Sequence, residues 1–298
     1  MRGQLKKALS GFYYIQQGDK LYQTRARGNF RKRKLKPLVG DMVEFESTSL
    51  TDGYLLKIFP RKNELVRPPV ANVDQVVVVS SLVEPEFSYH LLDRFLVGLE
   101  QKQIEPIIYL SKVDLLVDQT LLEDIKDCYL SAGYRVIVGD EQGLNQLKQF
   151  LKGRLTVLAG QSGAGKSTLL NKLVPGLSLE TGEISEALNR GRHTTRHVEL
   201  IDVEQGLVAD TPGFSSIDFF DLESADLPKM FPEFVVLEDD CRFRECSHTH
   251  EPDCAVKLAF EQGKIAKSRY ENYLLFLQEL KNQRPVYQRK RNKLLEGL

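Results

Sequence analysis

This 298-residue sequence lacks long apolar runs: none approaches the ~20 residues that a membrane-spanning helix needs. The N-terminal stretch MRGQLKKALSGFYY has no apolar core of about 7–15 residues and no small-residue cleavage site, so we expect no signal peptide. Internal repeats and low-complexity tracts are also missing. We therefore expect a cytoplasmic globular protein, monomeric and without a membrane partner.

Net charge is absent as well, because 41 Lys and Arg residues balance 41 Asp and Glu residues. The charges are unevenly spread, however. Residues 1–40 carry eleven Lys or Arg against the single acid Asp19, and the tail from Arg284 (RPVYQRKRNK) is also basic. Two basic ends on a neutral chain indicate a polyanionic partner, although each run alone would also suit a solvated charged surface.

Cysteine is scarce, and three of the four cysteines fall in one stretch of fourteen residues, CRFRECSHTHEPDC. In a cytosolic chain such crowding favours a metal site over disulfides, whereas the isolated Cys128 is expected to be a buried thiol. A closed tetrahedral Zn²⁺ site with a structural role would suit four such ligands. The predicted ligands are Cys241, Cys246, His248 and Cys254. His250 is an alternative to His248, and unliganded cysteines in a loop are the alternative to a site.

The length and the pattern of apolar residues predict a multidomain protein with three parts. Residues 1–68 contain short β-rich runs (GFYYIQQ, KLYQTRARG, DMVEFES, GYLLKIF) between turns, which predict a five-stranded barrel of the OB type. Residues 69–220 alternate apolar strands with helical patterns, which predicts an α/β domain with a mainly parallel sheet. Residues 221–298 are irregular, then cysteine-rich, then helical. The apolar stripe predicted on that last helix is Tyr270, Tyr273, Leu274, Leu277 and Leu280.

The stretch GQSGAGKST at residues 160–168 matches the phosphate-loop pattern G-x-x-x-x-G-K-[ST], between a predicted strand and a predicted helix. Backbone N–H groups of such a loop converge on phosphate oxygens. Lys166 would reach the β- and γ-phosphates and Ser167 would ligate Mg²⁺. The alternative is an ordinary Gly-rich turn. The predicted nucleotide contacts are Gly160, Gln161, Ser162, Gly163, Ala164, Gly165, Lys166, Ser167 and Thr168.

The stretch ADTPG further along the chain supplies a second half of a nucleotide site. An apolar strand delivers Asp210 to the sheet edge, where its carboxylate can hold Mg²⁺. Gly213 leaves its backbone N–H available to a γ-phosphate, and a loop anchored in this way responds to loss of that phosphate. After a phosphate loop, this motif indicates a nucleotide hydrolase.

The stretch SKVD at residues 111–114 indicates which base is bound. A carboxylate such as Asp114 can accept hydrogen bonds from both N1–H and the N2 amino group of guanine, and adenine offers no matching pair. Lys112 would lie along the base plane. The alternative is a strand that ends in a solvated turn. In ordinary GTPases this motif follows the phosphate loop, so its position before the loop indicates a circularly permuted GTPase domain.

With these motifs, essentially the whole chain resembles the circularly permuted, ribosome small-subunit-dependent GTPases of the RsgA/YjeQ family. The phrase GRHTTRHVEL at residues 191–200 resembles the switch I of that family. The resemblance implies an OB-fold N-terminal domain, hydrolysis of GTP to GDP and phosphate stimulated by the small ribosomal subunit, and a role in late maturation of that subunit. It also implies that rRNA is the polyanionic partner. The spacing of the four predicted zinc ligands matches that of the family as well.

Two residues depart from common GTPase patterns. Ser111 stands where most GTPases have an Asn that braces the phosphate loop and contacts the base, so weaker nucleotide binding is expected. Phe214 follows Gly213 where many small GTPases have a water-orienting Gln. His193 in the switch I stretch is the candidate catalytic residue, with a structural or RNA-contacting role as the alternative.

For Mg²⁺, the family pattern prefers Thr195 to Thr194 as a further ligand. Two other function classes compete with a GTP-hydrolysing switch. An ATP-dependent P-loop enzyme is disfavoured by SKVD and by the absence of a Glu directly after Asp210. The second is an RNA-binding module that uses nucleotide only as an ordering ligand. Small ribosomal subunits would not stimulate GTP hydrolysis by such a module.

Overall fold

A computed structural model describes residues 1–27, 30, 35–174, 198–210 and 222–282. It contains the three predicted parts: a closed five-stranded barrel, a P-loop α/β domain and a small cysteine-bearing helical unit. The switch candidates His193, Thr194, Thr195 and Gly213 lie outside the described residues, as does the basic tail. Within the described part of the chain, every helix is too short or too polar to span a bilayer.

The barrel consists of β1 (Arg2–Leu9), β2 (Phe12–Gln17), β3 (Lys20–Ala26), β4 (Met42–Ser47) and β5 (Gly53–Ile58). Its strand order is β1-β2-β3-β5-β4, and pairing of β1 with β4 closes the ring. Alternate side chains of these strands fill the interior, as the period of two requires. The fully buried ones are Leu5, Ile15, Val43, Phe45 and Leu55.

Strand β1 is the one barrel strand that the β-rich runs of the sequence did not predict. Its register against β2 shifts between Leu5 and Lys7, which marks a bulge or irregularity. Such a shift breaks the alternation of apolar and polar residues by which a strand is found in a sequence. Leu5 is nevertheless fully buried in the barrel, while Lys7 pairs with Glu199 of the next domain (2.5 Å).

A short hairpin of β6 (Glu64–Leu65) and β7 (Val70–Ala71) leads into the α/β domain. The strands there are β8 (Gln75–Ser81), β9 (Glu105–Ser111), β10 (Arg135–Val138), β11 (Leu155–Ala159), β12 (Glu199–Val203) and β13 (Gly206–Asp210). They lie in the order β10-β9-β8-β11-β13-β12, and only β12 in this row is antiparallel to its neighbour. The carboxyl ends of the five parallel strands therefore share one edge, where open α/β sheets bind ligands.

The helices of this domain are α1 (Tyr89–Gln101), α2 (Gln119–Ser131), α3 (Glu141–Leu151) and α4 (Lys166–Leu173). The first three begin at side-chain caps: Ser88, Asp118 and Asp140 each accept a hydrogen bond from a backbone N–H of the first turn. Helices α1 and α2 pack on one face of the sheet, and α3 and α4 pack on the other. Cys128 of α2 is buried, as predicted.

The C-terminal unit contains α5 (Pro232–Val235), α6 (Ala255–Glu261) and α7 (Lys267–Asn282). Four of the five residues in the predicted stripe of α7 are buried. Leu274 was predicted wrongly, because it is 36% exposed, and Phe276 is fully buried instead. The ring centroid of Phe276 lies 4.9 Å from that of His90 on α1. Because α7 packs on the α/β domain as well as on its own unit, its buried face includes Phe276.

A buried ionic network fixes this unit to α1. The Arg269 guanidinium donates at 2.7 Å to Asp93 of α1 and at 2.7 Å to Glu233 of α5. Asn272 and Tyr129 also donate to the Asp93 carboxylate. Since both charges of the Arg269–Asp93 pair are fully buried, removal of Arg269 would leave the Asp93 carboxylate without a cation.

Candidate nucleotide and metal sites

The phosphate loop connects the end of β11 to the start of α4 at the carboxyl edge of the sheet. Gly160 has φ 138°, and a Cβ there would collide with the carbonyl oxygen of Val79 on β8. Gly165, the residue that precedes α4, has φ 95°. The positive φ disfavours a side chain at both positions, and the contact with Val79 leaves no space for one at Gly160. These two glycines therefore allow the tight turn.

Lys166 closes over this loop. Its ammonium donates to the carbonyl oxygens of Gly160 and Gln161, each at 2.7 Å. Burial lowers the pKa of Lys166 to about 8. Ser167, at the first turn of α4, is half-buried, and Thr168 is exposed. The Lys166 ammonium and the N-terminus of α4 thus place positive charge at this loop, which suits phosphate.

The SKVD stretch lies beside the loop. Ser111 is the last residue of β9, only 7% exposed, and its hydroxyl donates to the carbonyl oxygen of Ala164 at 2.6 Å. In this chain a shorter side chain therefore provides the brace that an Asn usually supplies to the phosphate loop. Lys112 then adopts a left-handed conformation (φ 58°), which turns the chain into the 3₁₀ turn Val113–Leu115.

Asp114 occupies the middle of that turn and is exposed at the same sheet edge. Within the described part of the chain, its carboxylate has no hydrogen-bond or ion-pair partner, so both oxygens are available as acceptors. The Lys112 ammonium donates to the carbonyl oxygen of Glu84, in the loop between β8 and α1. Pro85 of that loop lies against the phosphate loop, 3.6 Å from where a Cβ of Gly163 would be.

The segment 82–88 is a part of this site that sequence reasoning missed. It touches the phosphate loop through Pro85 and the base motif through Glu84. The contact of Glu84 uses only its backbone carbonyl, which any residue has, and a proline after a strand indicates no more than a turn. The sequence therefore carried no signal that could have identified these contacts.

The Mg²⁺ candidates are only partly within the described residues. Asp210 is the last residue of β13, which pairs in parallel with β11, so its backbone reaches the edge from which the phosphate loop starts. Its side chain, Thr195, Gly213 and the catalytic candidate His193 lie outside the described residues.

The four predicted zinc ligands converge in the C-terminal unit. One ligand atom from each of Cys241, Cys246, His248 and Cys254 lies within 4.8 Å of all the others. The Cys241 and Cys254 sulfurs are 4.0 Å apart, and His248 Nδ1 is 3.7 Å and 3.4 Å from them. Tetrahedral Zn²⁺ with Zn–S bonds of about 2.3 Å and Zn–N bonds of about 2.0 Å spaces its ligands by roughly 3.5–3.8 Å. The donor set and its spacing fit zinc.

Neighbouring hydrogen bonds hold the His248 loop in place. The Tyr270 hydroxyl donates to the His248 carbonyl at 2.7 Å, and the Tyr273 hydroxyl donates to the Ser247 carbonyl at 2.5 Å. Burial would raise the pKa of Glu251, but hydrogen bonds, first from Ser247, lower it to about 2. His250 is exposed and offers only its backbone N–H to Glu251, so the structure places His248 and not His250 in the cluster.

Comparison with known proteins agrees with this geometry. The family model described as RsgA GTPase matches residues 58–220, and the RsgA N-terminal domain matches residues 2–55. The small ribosomal subunit biogenesis GTPase RsgA of Enterococcus faecalis is 61% identical over 97% of this chain and 99% of its own length. The protein of the same name from Streptococcus pneumoniae is 52% identical over 99% of both chains.

Two solved structures match this fold over most of the chain. YloQ, described as a circularly permuted GTPase, is 44% identical, with a TM-score of 0.81 over 96% of each chain. YjeQ from Thermotoga maritima is 36% identical, with a TM-score of 0.82 over 95% of this chain and 99% of its own. The inverted order of the base motif and the phosphate loop therefore belongs to a known arrangement.

Proposed function

Because the chain belongs to the RsgA GTPase family, we propose that it hydrolyses GTP to GDP and phosphate as a switch in the late maturation of the small ribosomal subunit. Its relatives carry the name small ribosomal subunit biogenesis GTPase. The observation that carries the proposal is the hydrogen bond from Ser111 to Ala164, which joins a guanine-type motif to a phosphate loop at one sheet edge.

Guanine selection is assigned to Asp114. Its exposed carboxylate would accept N1–H and the N2 amino group of guanine together, and Lys112 would lie along the base. The wrong base would leave the carboxylate unpaired, which is the kind of mismatch that discriminates strongly between ligands. Support comes from the position of Asp114 in the turn Val113–Leu115, which begins two residues after Ser111.

Phosphate binding is assigned to the loop from Gly160 to Thr168, with Lys166 neutralising the β- and γ-phosphates. Mg²⁺ bound with GTP would be held by Ser167, Asp210 and Thr195, and it would neutralise charge that develops on the phosphates. His193 would orient the attacking water. The half-buried Ser167 at the start of α4 suits a cation ligand next to a phosphate.

Zn²⁺ has a structural role in this proposal. Four protein ligands would fill a tetrahedral site, which leaves no position for a substrate or water. The cluster lies in the C-terminal unit that Arg269 attaches to α1, whereas the phosphate loop belongs to the α/β domain. The loop that starts at Asp210 and carries the ADTPG stretch (switch II) leads in sequence into this unit, so the nucleotide state would be transmitted to it.

The partners are the small ribosomal subunit and its rRNA, with the basic N-terminal segment and tail supplying phosphate contacts. A cytoplasmic, monomeric protein is part of the same proposal. Nucleotide competition tests the enzyme class: GTP should displace labelled GDP and ATP should not. Equal displacement by ATP would favour a general P-loop ATPase.

A second experiment tests the switch. Affinity for purified small subunits should be high with a non-hydrolysable GTP analogue and low with GDP. Lys166→Ala should bind nucleotide poorly and lose this difference. Equal affinity in both nucleotide states would leave an RNA-binding module in which nucleotide does not control the interaction.

A further inference from the structure

Strand β12 joins the barrel to the α/β domain. It lies between β13 and β1, and it runs antiparallel to both. Without β1, β12 would be the open edge of the α/β sheet, with backbone N–H and C=O groups that lack a strand to pair with. The barrel therefore covers this edge, and the two domains share one continuous sheet.

One row of residues crosses the junction in register. Lys7 of β1 lies opposite Glu199 of β12, and Glu199 lies opposite Asp210 of β13. Glu199 is the first residue of β12 and belongs to the GRHTTRHVEL stretch that resembles switch I. Asp210 is the last residue of β13 and belongs to ADTPG. The barrel thus pairs with β12 at the level where both switch stretches join the sheet.

Two ion pairs and an apolar core hold β12 against β1. The Lys7 ammonium lies 2.5 Å from the Glu199 carboxylate, and the Lys6 ammonium lies 2.7 Å from that of Asp202. Leu200 of β12 is buried in the apolar core that extends from the barrel into the α/β domain. Opposite charges that face each other on neighbouring strands stabilise the pairing of those strands, and like charges oppose it.

Strand β1 is itself attached to the α/β domain without the help of β12. The Leu5 N–H donates to the Asp41 carbonyl at 2.9 Å, and the Gly40 N–H donates to the Leu5 carbonyl at 2.8 Å. The Gly40 carbonyl accepts a hydrogen bond from the Asn72 side chain at 3.0 Å, and a Cβ at Gly40 would collide with the carbonyl oxygen of Ala71. Because Ala71 and Asn72 lead into the α/β domain, β1 can serve as a fixed support for β12.

We propose that Lys7 is a positioning residue for GTP hydrolysis, which holds Glu199 and thereby fixes the end of switch I beside Asp210. The inference rests on the proposed function for the Mg²⁺ and γ-phosphate contacts of Thr195 and Asp210. Thr195 precedes Glu199 by four residues, so a displaced β12 would displace the chain that carries Thr195. Hydrolysis is sensitive to such a displacement, because a shift of about 1 Å at the reacting groups already slows a reaction strongly.

The position of β12 affects GTP and GDP differently. In the proposed site, the switch stretches supply contacts around the γ-phosphate, which GDP lacks. The phosphate loop and SKVD follow β11 and β9, and neither of these strands pairs with β12 or β1. Loosening of β12 should therefore weaken the binding and hydrolysis of GTP and leave GDP binding intact.

The test uses the full-length protein without ribosomal subunits. Lys7→Glu places a like charge opposite Glu199, so it should lower both the affinity for a non-hydrolysable GTP analogue and kcat by about threefold or more. GDP affinity should stay at the parent value. Titration of fluorescent nucleotides measures the affinities, and single-turnover hydrolysis measures the rate.

The reciprocal variant separates positioning from damage to the barrel. Lys7→Glu combined with Glu199→Lys restores the opposite charges in exchanged places, so it should restore the analogue affinity and kcat. Arg27→Glu is the matched control, because it breaks a lysine-free ion pair with Glu46 inside the barrel, away from β12. This variant should bind both nucleotides and hydrolyse GTP like the parent.

Hydrogen–deuterium exchange shows directly whether Lys7 holds the strand. In Lys7→Glu, the amides of β12 should exchange faster, and those of β9 should exchange as in the parent. Unchanged exchange of β12, an equal loss of GDP and analogue affinity, faster exchange with parent-like analogue affinity and kcat, or no restoration in the reciprocal variant would overturn the proposal. A parent that does not hydrolyse GTP would refute the proposed function, and the exchange and affinity measurements would still test the role of Lys7.

Discussion

The Ser111 hydroxyl donates a 2.6 Å hydrogen bond to the carbonyl oxygen of Ala164, which lies 53 residues later in the chain. The bond connects the end of β9 to the phosphate loop after β11, with β8 between the two strands. A motif that precedes the phosphate loop in sequence is thereby its neighbour in space. Permutation changed the order of the chain and preserved the arrangement at the sheet edge.

Ser111→Ala should lower GTP affinity by about five- to tenfold, the effect of losing one hydrogen bond to a buried carbonyl. The measurement is titration of a fluorescent GDP or GTP analogue. Ser131→Ala is the control, because it removes a hydroxyl that donates to the Cys128 carbonyl at 3.0 Å, away from the nucleotide. Unchanged GTP affinity in Ser111→Ala would show that this bond does not support the loop.

Asp114→Asn should shift the base preference from guanine toward xanthine. The amide can donate to the C2 carbonyl that xanthine has where guanine has its amino group. Competition between GTP and XTP for the variant and the parent measures the shift. Asp118→Asn, at the cap of α2, should keep the preference for GTP. A parent-like preference in Asp114→Asn would refute the assignment of SKVD.

GTP binding should weaken as pH rises from 7 to 8.5. Burial lowers the pKa of Lys166 to about 8 in the free protein, and a bound phosphate raises it, so above pH 8 binding must take up a proton. The dissociation constant should rise by about fourfold over this interval. Isothermal titration in two buffers of different ionisation enthalpy would detect the proton uptake. Lys166→Ala should bind weakly with no such dependence, and a flat profile in the parent would contradict the lowered pKa.

Cys246→Ala should remove zinc and loosen the C-terminal unit while GDP binding stays mostly intact. Metal analysis of freshly purified parent protein should find about one zinc ion per chain. Near-zero zinc is expected in the variant, because three remaining ligands no longer close the site. Cys128→Ala, which removes a buried thiol outside the cluster, should retain zinc. Parent protein without zinc would refute the structural metal site.

The sequence predicted those parts of the protein whose signal is local. The phosphate loop and SKVD were identified because each is a short motif with fixed spacing next to a predicted strand. The spacing of the cysteines identified the metal cluster in the same way. Spacing could not decide whether His248 or His250 is the ligand, since either is close enough in sequence to the cysteines. The left-handed conformation of His248 and the burial of its side chain distinguish the two in the structure.

The features that the sequence did not predict depend on contacts between segments that are distant in the chain. A fully buried Arg269 contradicts the ordinary expectation for a charged residue, and its partners Asp93 and Glu233 lie on other elements. Phe276 replaced Leu274 in the buried face of α7 because the helix packs on α1 as well as on its own unit. The domain boundaries at residues 68 and 220, and the roles of His193 and Thr195, stay predictions.

The most direct test of the proposed switch is GTP turnover by the purified full-length protein with and without small ribosomal subunits. We expect slow hydrolysis by the protein alone and a rise of about tenfold or more when small subunits are added, which corresponds to a lower barrier by at least about 1.4 kcal/mol. Large subunits at the same concentration should produce no such rise, and Lys166→Ala should show little turnover in any mixture. An identical rate with and without small subunits would contradict a subunit-stimulated switch.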